Sequence, residues 1–405
     1  MGEEIKVFTQ MFYPDLASTA KVLSDLFFNL GDYYKIKVIC QNRSYIHPDV
    51  KYEEKSKINN VIIDRIKVRK TNKNSLSGRI INFIILYRNF KKEAKKANED
   101  IFFCVSNPPF LPYITIKEAN RKNKKSVFLL HDLYPDVLVK LGKIREKSLF
   151  YKIMYKMNKY AFENSSKIIV LGRDVKEYLI KNYNIKDEKI EIITNWGNNT
   201  INIGNTDFRK KYKLQNKFVI MYTGNLGETA EFDTLLNTAK IINNDNIKFV
   251  IIGDGRKKRF ISGKIDEMKL NNILLLDYLP EDEYYGVINT ADMFYVSLKE
   301  GLEGISVPSK TYTYLSVGKP IIAVVPPKSE IGLSIKEDNY GIYNNYDPIK
   351  LREDILEIFH NKHKYNNLKE NAQKTFISKY NRPLILEKYR NLFKELEAEK
   401  WKPPS

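Results

Sequence analysis

The segment from Glu300 to Ala323, EGLEGISVPSKTYTYLSVGKPIIA, holds the residues best suited to chemistry. A glycine-bearing loop leads to Pro308, Ser309 and Lys310, and Pro308 suits the opening of a helix. Ser309 is placed to accept from free backbone N–H groups at that opening. Gly318-Lys319-Pro320 then ends the short run KTYTYLSV, and the apolar run Ile321 to Val325 follows as a central parallel strand would. A loop-to-helix junction of this kind offers unpaired N–H groups and a positive dipole end to an anion. Lys310 adds a full charge, so the junction suits a diphosphate held without a metal.

Four further clusters follow strand-like runs. Gly224-Asn225-Leu226-Gly227 comes after FVIMYT, where glycines let a backbone approach a ligand closely or simply make a strand-to-helix turn. Gly253-Asp254-Gly255 comes after IKFVII and leads into Arg256, Lys257, Lys258 and Arg259. Four consecutive cations suit a solvated helix face. At the carboxyl end of a parallel strand they also lie where α/β folds bind ligands. His131-Asp132 follows SVFLL, and the loop Tyr13 to Thr19 follows the first strand, with Ser18 and Thr19 able to cap the next helix.

The elements that must position these residues alternate throughout. IKVFTQ, YKIKVIC, NVIIDRIKV, DIFFCV, SVFLL, KIIVL and IEIIT read as strands of the first half, and FVIMYTG, IKFVIIG, ILLLDY, ADMFYVS and PIIAVV as strands of the second. Amphipathic stretches such as STAKVLSDLFFNL, RDVKEYLIKNY and EFDTLLNTAKII lie between them. This alternation predicts parallel sheets with helices on both faces. A chain of 405 residues with 43% hydrophobic residues fits two domains with separate cores. The polar, turn-rich stretch Asn195 to Asn205 is the expected linker. The domains are expected at 1–197 and 198–382, with 383–405 returning to the first. A helical pattern runs from about Leu384 to Lys400, and Trp401 to Ser405 reads as a short disordered end.

Composition narrows the function. The net charge is +19, with 37 Lys and Arg against 22 Asp and Glu in residues 1–200 (+15) and 31 against 27 in the rest (+4). The basic half is expected to face something anionic: a lipid surface, a lipid-linked phosphate or nucleic acid. The stretch Ser75 to Lys96 is apolar and then densely basic. It suits either a core helix with a charged end or a helix lying in a membrane surface, with Phe83, Ile84, Leu86, Tyr87 and Phe90 dipping. Cys40 and Cys104 sit in apolar runs and read as packing residues, giving neither a disulfide framework nor a zinc site. The start MGEEIKVFTQ does not resemble a signal peptide. No run reaches the roughly 20 apolar residues of a membrane span, so a cytoplasmic location is expected.

The string PSK…GKP, with the glycine turns and HDLYPD, resembles glycosyltransferase family 4, retaining enzymes of GT-B fold. It is most similar to bacterial members that build capsule, O-antigen and exopolysaccharide repeats. The resemblance covers nearly the whole chain. It implies two Rossmann-like domains facing across a cleft, a nucleotide-sugar donor with uridine diphosphate as carrier, and a lipid-linked sugar acceptor at the cytoplasmic membrane face.

For single residues, the resemblance puts Gly224, Asn225, Gly227, Gly253, Asp254, Gly255, Arg256, Glu300, Ser309, Lys310 and Thr313 at the donor. It puts His131 and Asp132 at the sugar, and Ser18 and Thr19 in the loop that closes on the acceptor. Two departures stand out. Glu228 to Glu231 replaces the cation usual after the first glycine turn. Thr313 replaces the glutamate that accepts from the ribose hydroxyls, so either Thr313 holds one hydroxyl or Glu300 or Glu303 takes its place. No metal and no cofactor are expected, and no D-x-D run occurs. Three alternatives are a sugar-nucleotide epimerase of the same fold, a non-catalytic partner of another transferase, and a nucleic-acid-binding protein, the last lacking any recognised motif.

Overall fold

The computed structural model describes residues 3–69, 76–197 and 207–399. Two compact units divide the chain. The first runs to Leu171, resumes from Val175 to Ile193 and takes in the chain from Leu386; the second comprises Gly172–Asp174 and Thr194–Ile385. Most of the expected linker, residues 198–205, lies outside the described residues, as do Trp401 to Ser405.

The first unit contains β1 (Glu4–Phe8), α1 (Ser18–Leu30), β2 (Lys35–Gln41), β3 (Lys55–Ile58), β4 (Val61–Ile66), α2 (Leu76–Lys96), β5 (Ile101–Val105), α3 (Leu111–Arg121) and β6 (Lys125–Leu130). After these come α4 (Asp136–Lys140), α5 (Leu149–Asn164), β7 (Lys167–Val170), α6 (Arg173–Tyr183), whose first residues group with the second unit, and β8 (Ile190–Ile192). The strands form one sheet in the order β3-β4-β2-β1-β5-β6-β7-β8. Every described pairing is parallel except β3 with β4. The order reverses between β1 and β5, and such a switch point opens a crevice at the carboxyl ends of the strands.

The helices α2, α3 and α5 each join strands that step the same way across this sheet. Right-handed crossovers therefore set them on one face, and α3 packs against both α2 and α5. Rings tie the three together: Phe83 and Tyr87 stand 4.7 and 5.4 Å from Phe110, and Tyr113 5.2 Å from Tyr160. Leu86 and Phe90 are buried in this packing. That corrects part of the expected membrane stretch: these two side chains face the core, and among the described residues of α2 the exposed large apolar ones are Ile80, Ile81, Phe83 and Ile84.

The second unit contains α7 (Phe208–Lys211), β9 (Phe218–Thr223), α8 (Asp233–Ile241), β10 (Ile247–Ile252), α9 (Lys258–Met268), β11 (Ile273–Leu276), α10 (Glu281–Asn289) and β12 (Met293–Ser297). It continues with α11 (Lys310–Ser316), β13 (Ile321–Val324), α12 (Glu330–Asp338), β14 (Gly341–Asn344), α13 (Pro348–His360) and α14 (Lys362–Thr375). Its sheet is parallel in the order β11-β10-β9-β12-β13-β14. This is the order of a doubly wound dinucleotide fold, with its switch point between β9 and β12. Ile220, Phe232, Leu236, Phe249, Met293 and Tyr295 are among the side chains of its core.

The last helix, α15 (Arg382–Ala398), buries Tyr389, Leu392, Phe393 and Leu396. Phe393 lies 6.3 Å from Phe103 and 5.7 Å from Tyr34, ring to ring, within the first unit. Cys40 and Cys104 are free and buried. Burial pushes the Cys40 thiol up to about 12 and the Cys104 thiol well above its ordinary value.

Candidate donor site and its counterpart in the first unit

The switch point of the second sheet brings two loops together, the turn after β9 and the loop from β12 to α11. Gly224 continues β9 and donates from its backbone N to Ile252 O at 2.7 Å. Its φ is +110°, and a Cβ there would stand 2.6 Å from Lys310 Cε. Only glycine lets the Lys310 stem pass under this turn. Gly253 is packed harder still: a Cβ would lie 1.9 Å from Gly224 O. The two turns are further joined by Leu226 N to Asp254 O (2.8 Å) and Lys257 N to Leu226 O (3.0 Å). Asn225 and Gly227 complete the first turn, the Asn225 side chain lying against Gly227 and Gly255. Asp254 is exposed, and its carboxylate accepts from Gly255 N at 2.8 Å. Gly224, Asn225, Gly227, Gly253, Asp254, Gly255 and Lys310 thus form one structure.

Lys310 enters from α11. Its Nζ donates to the Tyr222 hydroxyl at 3.0 Å and sits 4.7 Å from the centre of the Tyr222 ring. Among the described residues no carboxylate forms an ion pair with it. Burial alone lowers its ammonium from 10.5 to about 8. A cation that is short of water and lacks a carboxylate partner sits at an electrostatic cost unless an anion arrives.

Two tyrosines fix the helix that delivers it. Tyr314 accepts from Thr223 N at 2.8 Å, and its ring stacks on Phe294 at 4.0 Å. Tyr312 is fully buried beside Tyr380, 5.0 Å away. Between them Thr313 is half-buried, and its carbonyl accepts from Ser316 Oγ.

Ser309 departs from expectation. It takes a helical conformation at the start of α11, and its side chain caps no backbone N–H. A residue already at φ −66°, ψ −19° has the wrong geometry to reach forward to the next turn. Of the four cations after Gly255, Lys258 pairs with Asp277 and Lys257 donates to Ala230 O. Arg256 is exposed and stands 3.9 Å from Glu228. Glu300 is exposed, whereas Glu303 is half-buried with Oε2 buried and lacking a hydrogen-bond partner among the described residues. No group of three or more His, Cys, Asp or Glu among the described residues is placed to hold a metal ion.

In the first unit, His131 and Asp132 follow β6. Their backbone N–H groups both donate to Ser106 Oγ, at 3.2 and 3.3 Å, which pins the turn to the end of β5. His131 Nε2 is buried without a partner, and burial lowers the imidazole to about 4. The ring is therefore neutral near pH 7 and suits hydrogen bonding to a hydroxyl better than binding a phosphate.

Ser18 is exposed at the first residue of α1 and Thr19 half-buried, but Ala17 holds the cap position and no side chain caps this helix. The loop is held instead by Asp15, buried, which accepts from Ala17 N at 3.1 Å and from Tyr45 N. Asp15, Ser106, Tyr222 and Tyr314 escaped the reading of the sequence. The only available signal was their position at or just beyond strand ends or in the motif helix.

Two doubly wound α/β units define a protein of GT-B fold, and in the second a half-buried lysine with no carboxylate partner among the described residues lies beneath the glycine turn at the switch point. Two family models match the chain, Glycosyltransferase Family 4 over residues 32–196 and Glycosyl transferases group 1 over residues 204–375. The chain belongs to these glycosyltransferases. It is 26% identical over 300 residues to WbjE of Pseudomonas aeruginosa, described as a probable glycosyltransferase, covering 72% of this chain and 74% of that one. It is 25% identical over 117 residues, 29% of each chain, to WcaI of Escherichia coli K12, a glycosyl transferase assigned to colanic acid biosynthesis. In structure it resembles HepE of Anabaena, solved in complex with UDP, with a TM-score of 0.70 and 13% identity over 97% of this chain and all of that one.

Proposed function

We propose that this glycosyltransferase moves a sugar from a uridine diphosphate sugar to a lipid-linked saccharide, with retention at the anomeric carbon, in the assembly of a bacterial surface polysaccharide. The observation that carries the donor reading is Lys310, a half-buried lysine under the Gly224 turn whose ammonium is lowered by desolvation and has no carboxylate partner among the described residues. The diphosphate supplies the missing anion, and the backbone of the two glycine turns gives it room. HepE, of the same fold, was solved in complex with UDP, and WcaI is described as a colanic acid biosynthesis glycosyl transferase.

In this reading the second unit takes the donor and the first unit the acceptor. The bond from the anomeric carbon to the diphosphate oxygen breaks, and the bond to the acceptor oxygen forms on the same face. The acceptor hydroxyl proton passes to the departing phosphate oxygen, so the chain needs no nucleophile of its own. Lys310 and Arg256 stabilise the charge that grows on the diphosphate. Neutral His131 and Asp132 hold sugar hydroxyls. With Thr313 where a ribose-binding glutamate is usual, Glu303 and its unpartnered Oε2 hold the ribose. No resident metal takes part.

The test is incubation of the protein, with and without EDTA, with a panel of nucleotide sugars and short lipid-diphosphate acceptors, following released nucleotide and product mass. Acceptor-dependent release from one UDP-sugar, indifferent to EDTA, is expected. Conversion of a nucleotide sugar without acceptor establishes an epimerase instead. Binding with no turnover of any donor establishes a non-catalytic partner.

A further inference from the structure

The His131–Asp132 turn is fixed where it leaves β6 by Ser106, whose hydroxyl accepts from both backbone N–H groups. Its far end is fixed by a residue that the proposed reaction does not use. Asp136 opens α4, five residues after His131, and is buried. Three tyrosine hydroxyls converge on its carboxylate. Tyr183 donates to Oδ2 at 2.6 Å, and Tyr178 and Tyr151 donate to Oδ1 at 3.1 and 3.4 Å. Tyr151 comes from α5 and the other two from α6, so three helices meet at this one group. Among the described residues no cation forms an ion pair with it. Burial raises the carboxyl above its ordinary value, and the tyrosine bonds oppose that rise.

The donors are themselves held. The buried Tyr183 ring stacks on Tyr155 at 4.7 Å and meets Phe162 edge-on at 5.1 Å, and Tyr151 stacks on the same Tyr155 at 5.9 Å. The backbone between the two anchors is tied as well. Leu133 is fully buried and its carbonyl accepts from Val137 N at 2.9 Å. Tyr134 O accepts from the Asn158 side chain, and Pro135 O from Leu138 N at 2.9 Å. A shift of Asp136 is therefore carried along the chain to His131. A five-residue helix has no need of a buried charge for its own sake. An apolar side chain in a space walled by aromatic rings costs less to bury. A carboxylate that accepts from three directed donors instead selects one orientation and holds it.

We infer that Asp136, held by Tyr151, Tyr178 and Tyr183, is a positioning residue that fixes the far end of the His131–Asp132 turn and so sets where these two side chains meet the sugar. The inference rests on the sugar-binding role proposed for His131 and Asp132. The anchoring itself is read without turnover.

The experiment uses the full chain with Tyr183→Phe, which removes the shortest bond and keeps the ring, and Asp136→Asn, which keeps one acceptor oxygen. Backbone hydrogen exchange over residues 131–136 is followed by mass spectrometry. The His131 imidazole is titrated by NMR, its signal identified by its absence in His131→Asn. Transfer kinetics and UDP affinity are measured on the same preparations. In Tyr183→Phe the exchange is expected to quicken about tenfold or more. The imidazole, at about 4 in the wild type, moves up towards its ordinary 6.5 as the ring meets water. kcat falls about ten- to a hundredfold while UDP affinity holds, since the second unit takes the donor. Asp136→Asn is expected to fall between the two. Wild-type exchange and an unmoved imidazole in Tyr183→Phe overturn the inference, as does a kcat loss that only follows the folded fraction in thermal melts. A loosened turn in Tyr183→Phe beside full transfer by His131→Asn supports the anchor and refutes only the role proposed for His131.

Discussion

Replacing Lys310 by methionine removes one charge and keeps the length of the stem. In the ligand-free protein the ammonium titrates at about 8 rather than 10.5, a difference worth ~3 kcal/mol of protonation free energy. The native state therefore binds fewer protons than the unfolded chain between these values. Stability rises as pH climbs from about 8 to 10.5, and the full cost is present below 8. Lys310→Met removes that cost. It forfeits the hydrogen bond and ring contact to Tyr222, together about 1–2 kcal/mol, while the Tyr222 hydroxyl keeps its bond to Asn225 O at 2.7 Å. The variant is expected to melt at or above the wild-type temperature.

Donor binding moves the other way. A lost charge-assisted bond to phosphate is worth about 1.5–3 kcal/mol, or roughly 10- to 150-fold in Kd. Wild-type affinity for UDP also falls about tenfold per pH unit above pH ~8, because binding must first return a proton to the amine, whereas the variant shows no such slope. Calorimetric titration with UDP from pH 7 to 9.5, beside thermal melts of the free proteins, reads all three. A variant that melts clearly lower and binds UDP as the wild type does would refute the reasoning and make Lys310 a structural strut.

His131 gives a second pH signature. Its imidazole is held at about 4 instead of 6.5, so the native state is penalised as pH falls from 6.5 towards 4, by up to ~3 kcal/mol. His131→Asn is expected to flatten that acid limb in denaturant melts at pH 4.5 and 7, and to reduce transfer at pH 7 by weakening the hold on a sugar hydroxyl. Gly253→Ala pushes a methyl group into Gly224 O. It should lower stability by about 3 kcal/mol or more and abolish UDP binding in the folded fraction, as urea melts and titration report.

The alternation of strands and helices was legible because buried parallel strands are continuous apolar runs: IFFCV and IIAV are buried throughout. Two strands escaped. In β3, KSKI has one apolar residue and alternates exposed with half-exposed positions, and its pairing depends on the Asn59-Asn60 turn, Asn59 lying at φ +50°. β14 is four residues at the sheet edge, opening on a glycine. The stretch in α2 was ambiguous because an apolar helix reads alike against a core or a bilayer. Leu86 and Phe90 are buried because α2 packs against α3, where Phe83 and Tyr87 also meet Phe110.

Gly224, Gly253 and Lys310 stood out in the sequence, and the structure brings them together in the candidate donor site. What makes Lys310 informative did not stand out: the tyrosine beneath it comes from β9, 88 residues earlier in the chain, and the absence of a carboxylate partner among the described residues depends on tertiary packing. Ser309 and Ser18 show the limit of capping rules, since a serine caps only where the backbone turns into the helix at that residue.

The return of the chain to the first unit orders events on the ribosome. The core around Phe103 and Tyr34 is closed by Phe393, which is synthesised after the whole of the second unit. The half that emerges first is thus the half that finishes last. Until α15 is synthesised, the core around Phe103 and Tyr34 lacks Phe393 and part of the first unit's apolar interior stays uncovered, which makes the nascent first unit a substrate for chaperones.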